Sequence, residues 1–160
     1  MFHALKDLFD RFLPPQQRRL EDAAQALQLA SAVLLVEVMR ADAVSSPGER
    51  TAVGAALQRL FGLDAAAAAA LIARAEDTAR HASDTFGFTS QINDALDMEH
   101  KIALVEALWS VAYAEGGLGA EENHLLRKVV NLLHVPQGAA MNAKMRARAA
   151  AGPCAGPAPA

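Results

Sequence analysis

The chain has 160 residues, the size of one ordinary domain, with a formal charge of −3 and a pI near 5.9, so no basic field points to nucleic acid. Its composition is 52% hydrophobic with many alanines and few aromatics, which favours close-packed helices. Cys154 is the only cysteine, which excludes an intramolecular disulfide and points to a reducing, cytoplasmic compartment.

The opening MFHALKDLFDRFL lacks the apolar core and cleavage site of a secretory signal. No uninterrupted apolar run reaches about 18 residues, so no transmembrane segment is expected. Residues 1–15 read as an N-terminal amphipathic helix: Phe2, Leu5, Leu8, Phe9, Phe12 and Leu13 fall on one face, and Pro14-Pro15 ends it. Two roles are open to it: docking on the core, or meeting a membrane surface or a protein partner.

A main helical domain is expected over residues 16–149. Arg18–Arg40 reads as one long helix, followed by an acidic turn. Ser46-Pro47-Gly48-Glu49 has the form of a helix start, with Ser at the cap, Pro at the first helical position and Glu at the third. That helix stops at Gly62, and Asp64 caps an alanine-rich helix running to about Ser83. Asp84–Asn93 breaks the pattern and reads as a loop whose aromatics plug the core, then a short helix capped by Thr89. Asp97 caps a helix through Ile102, Val105, Leu108, Trp109 and Ala112, and a second acidic turn leads into a helix over 120–133. Pro136 starts a last helix to about Ala149, with a basic end at Lys144, Arg146 and Arg148. Residues 150–160 carry three prolines and no periodicity, and are expected to be a disordered Ala/Pro/Gly tail.

The two acidic turns echo each other. One constant offset places Asp42 on Glu115, Ala43 on Gly116, Glu49 on Glu122, Val53 on Leu126 and Leu57 on Val130. Each copy is an apolar helix, an acid at its end, and a glutamate in the first turn of the next helix. No stretch alternates with period two. The expectation is therefore an all-α chain: a single globular bundle of about seven to eight helices around two pseudo-repeated helix–acidic turn–helix units.

The four acids Asp42, Glu49, Glu115 and Glu122 are the candidate site. If the copies face each other the carboxylates converge, and an all-oxygen set suits a divalent cation such as Ca²⁺, Mg²⁺ or Mn²⁺. The pattern is not an EF-hand loop. The competing reading is that Glu49 and Glu122 are capping-box glutamates, favoured at a helix N-terminus without any metal, while Asp42 and Glu115 are solvated. Glu37 and Glu106 precede the turns and have oxygens to add, although salt-bridged roles suit them better. His100, His124 and His134 form no constellation, Cys154 has no base near it in sequence, and no catalytic or nucleotide-binding motif is present. No enzyme activity is expected.

LLVEVMRADAVSSPGER, DTFGFTSQIND and ALVEALWSVAYAEGGLGAEENHLLRKVVNLLHV, taken together, resemble the TerB-like tellurite-resistance family of bacterial proteins, over roughly Leu20 to Arg148. The resemblance implies an all-helical, non-catalytic domain whose paired acidic turns bind divalent metal. It also implies a role in tellurite resistance or stress response, near membrane-associated complexes. In the family the turn is Asp-Gly with a later Glu. Here Ala43 stands in the Gly position of the first turn, and Glu115 in the Asp position of the second.

Overall fold

The structure, a computed structural model, describes residues 5, 8, 11, 12, 14–41, 47–82, 86–114 and 118–152. Every regular element among them is a helix: α1 (Pro15–Arg40), α2 (Pro47–Phe61), α3 (Ala65–His81), α4 (Phe86–Ala95), α5 (Met98–Ala112), α6 (Ala120–Leu132) and α7 (Gln137–Ala151). The all-α class expected from periodicity is the class found.

The core is assembled around the second half of α1. Ala30, Val33, Leu34, Leu35, Val36, Val38 and Met39 are buried on all sides of the helix, which marks a central rather than a surface element. It touches α2, α3, α4, α5 and α6. The first half of α1 differs. Every residue from Pro15 to Ala26 is exposed, and packing begins at Leu27. By length and composition alone α1 is able to cross a membrane, yet half of its most apolar window lies inside the fold. Its hydrophobicity is accounted for by its central position.

Local chemistry sets most boundaries. Pro15 opens α1 where its missing N–H costs nothing. Gly62 ends α2 in the left-handed region (φ 65°), which glycine adopts without a Cβ penalty. Asp64 Oδ1 accepts from the Ala67 N–H at 2.7 Å and starts α3. Asp97 does the same for α5, accepting from the His100 N–H at 2.9 Å. α6 closes in a Schellman arrangement: the His134 N–H donates to Asn131 O (3.1 Å) and the Val135 N–H to Val130 O (3.3 Å), with His134 at φ 58°. Asn93 Nδ2 of α4 donates to Leu132 O at 2.8 Å, satisfying one more carbonyl at that end. Small residues Ala140, Ala143 and Ala147 let α7 lie close along α5, its main neighbour.

Two expectations change. Thr89 does not cap a helix; it is buried inside α4, which already begins at Phe86. Phe88 and Ile92, one turn apart, carry the apolar face from that earlier start, and Gly87 sits in the exposed first turn, where its low propensity costs little. At the other end, Ala150 and Ala151 continue α7 rather than beginning a tail; residues 153–160 of that tail lie outside the described residues. Leu5, Leu8, Arg11 and Phe12 of the N-terminal segment are helical. Leu5, Leu8 and Phe12 are exposed, Phe12 to 83%, so these three do not dock on the core.

Candidate metal centre

The two repeated units are α1–α2 and α5–α6. Their entering helices, α1 and α5, pack against each other. Each exit helix also leans on the other unit: α2 rests on α5, and α6 touches α1. The face-to-face arrangement suggested by the echo is therefore present in the helices.

Glu49 and Glu122 occupy matching places. Each is the third residue of its helix, and each is buried, at 5% and 1% exposure. A glutamate in a first turn has a favourable interaction with the helix dipole, but that interaction does not require burial. Sinking a carboxylate into a fold is costly unless cations or donors compensate. Asp42 and Glu115 lie outside the described residues. Among the described residues no group of three or more His, Cys, Asp or Glu side chains comes together. The described half of the candidate set is thus one buried carboxylate from each unit, a donor type that fits a hard cation.

Two of the remaining candidate groups have partners of their own. Glu106 accepts from Arg146 Nε at 3.0 Å. The hydrogen bonds from the His100 backbone and ring hold the Asp97 carboxyl below its ordinary range, and the bond to Asp97 holds the His100 imidazole above its own. His100 therefore belongs to the cap of α5. His124 faces solvent from α6. Trp109 and Tyr113, at the end of α5, stack with centroids 6.3 Å apart, and burial pushes the Tyr113 phenol up despite the Arg148 cation.

Sequence reasoning passed over one buried cation, Lys101, at the start of α5. Its position one turn beyond the Asp97 cap was legible; its burial was not, because a lysine stem packs like an aliphatic chain. It also missed a cleft between α5, α6 and α7. The regular spacing of Asn123, Arg127 and Asn131, and of Gln137, Met141 and Lys144, was the available sign of a shared face on each helix.

The sequence model of the family described as tellurite resistance protein TerB matches residues 28–145, most of the chain and the whole of both units beyond the exposed half of α1. No curated protein and no solved structure matches.

Proposed function

The chain belongs to the TerB tellurite-resistance family, and from that premise we propose a non-catalytic, cytoplasmic domain that binds a divalent cation through its paired acidic turns, in a stress or tellurite-resistance response. The burial of Glu49 and Glu122 at matching positions of two facing units carries this reading. Asp42 and Glu115 complete the proposed set, an all-oxygen donor group that suits Ca²⁺, Mg²⁺ or Mn²⁺. These residues hold an ion and couple it to the setting of the turns; they offer no nucleophile or separate base.

Thermal melts with each cation test the proposal. Saturation to about a hundredfold over Kd stabilises by about 2.7 kcal/mol, a rise of roughly 5–10 °C for a chain of this size. Glu49→Gln and Glu122→Gln should each abolish the rise. A melting temperature unchanged by millimolar amounts of all three cations overturns the metal reading. The exposed Leu5, Leu8 and Phe12 then favour the second reading, a metal-free adaptor for a protein partner or membrane surface, with no role for nucleic acid.

A further inference from the structure

A cleft of about 250 Å³ opens where α5, α6 and α7 meet. Its chemistry is one-sided. Arg127 of α6 and Lys144 of α7 line it, no Asp or Glu does among the described residues, and neither cation pairs with a described acid. Lys144 Nζ is held 4.8 Å from the centroid of the Trp109 ring, a cation–π contact that fixes the ammonium at the cleft wall. Asn123, Asn131 and Gln137 add amide groups. Gln137 is also the first residue of α7, whose N-cap Pro136 supplies no side-chain acceptor, so first-turn N–H groups and the positive end of the helix lie at this edge. The remaining wall is apolar: the indole of Trp109, Val130 and the exposed Met141.

A further detail sits at the back of the cleft. Trp109 is 4% exposed, and its Nε1–H is buried with no hydrogen-bond acceptor among the described residues. The N–H is enclosed by protein, so it reports on the cleft through the ring that lines it.

We propose that this cleft binds a small organic anion, an oxyanion headgroup on a compact apolar or aromatic body. Arg127 and Lys144 take the headgroup, the amides orient it, and the indole and Met141 wall covers the body. The volume suits a single ring with one charged group. Glu49 and Glu122, the described acids of the turns, do not line it, and the proposal stands whether or not those turns bind metal.

Trp109 is the only tryptophan, so the full-length ¹⁵N-labelled chain gives one indole N–H resonance to follow. The probes are phenyl phosphate, inorganic phosphate and benzyl alcohol, which carry headgroup and body, headgroup alone, and body alone. Phenyl phosphate should shift the resonance saturably, with a Kd at least about tenfold below those of the other two. Arg127→Gln and Lys144→Gln should each weaken it by about tenfold, the scale of one charge-assisted hydrogen bond. Both side chains reach the surface, and circular dichroism confirms each variant is folded. Arg59→Gln, an exposed cation on α2 outside the cleft, should leave the affinity unchanged. Lack of saturation by phenyl phosphate overturns the proposal, as does equal affinity for inorganic phosphate or benzyl alcohol, or indifference to both cleft substitutions.

Discussion

Cutting the chain immediately before Leu27 should leave the domain folded and nearly as stable as the chain that begins at Pro15. Pro15 to Ala26 are all exposed, and the largest apolar side chain among them, Leu20, is 67% exposed. Fully burying a leucine contributes about 1.5–3 kcal/mol, so the covered third of Leu20 contributes about 0.5–1 kcal/mol. The exposed helical turns themselves add little, because helix stability in proteins comes chiefly from tertiary packing. Leu34→Ala, two turns further along the same helix, provides the contrast. Leu34 is fully buried, and its truncation should cost about 3–5 kcal/mol through lost burial and the cavity left behind. With about 2–4 °C per kcal/mol at this size, the chain cut before Leu27 should melt within about 4 °C of the chain that begins at Pro15, and Leu34→Ala roughly 6–20 °C lower. Differential scanning calorimetry on the three proteins decides it. A shortened chain that melts as low as Leu34→Ala would show that the exposed half of α1 is braced by contacts it does not make here, and the reasoning would fail.

Asp64 is the only acid at the start of α3, since the first turn carries none. Asp64→Ala should cost about 1 kcal/mol, and Asp64→Asn, which keeps the acceptor and loses the charge, should cost less; urea melts in which the two variants are equally damaged would contradict the cap. The Asp97–His100 pair predicts a pH window. The imidazole is raised by its bond to Asp97, so its contribution is complete below the ordinary histidine range and is lost as pH rises through the raised value. The carboxyl is lowered, first by the His100 backbone N–H, so its contribution is present above the ordinary carboxylate range and is lost as pH falls through the lowered value. The pair therefore acts between these limits. In Asp97→Asn the NMR titration midpoint of His100 should fall; an unchanged midpoint would mean that the ring is not held by Asp97.

What could be read from the residues was local, or repeated. Asp64 and Asp97 announce their helices because a cap needs only one side chain and the next turn's backbone. The echo between the two turns is visible because Leu57 and Val130, or Val53 and Leu126, serve the same buried role in each unit. Thr89 misled for the same local reason. A threonine two residues after a glycine looks like a cap, and only Ile92 and Phe88 packing on α1's neighbourhood shows that it lies within a helix. The burial of Glu49 and Glu122 was hidden, since a glutamate in a first turn has the same sequence context whether it faces water or a core. The cleft was hidden more deeply. Its indole, guanidinium and ammonium come from three helices that only tertiary packing assembles.

The crossing of the units bears on how such a chain can be divided. Neither α1–α2 nor α5–α6 closes around its own apolar faces, because α1 and α5 cover each other and α2 completes its burial on α5. A half-length chain would thus carry an open seam matching the half it had lost. Since the halves echo each other, the surface best shaped to fill that seam is a second copy of the same half, related by a two-fold axis. The seam between the units has the logic of a dimer interface enclosed within one polypeptide, and the linking helices α3 and α4 act as the tether that makes the association intramolecular.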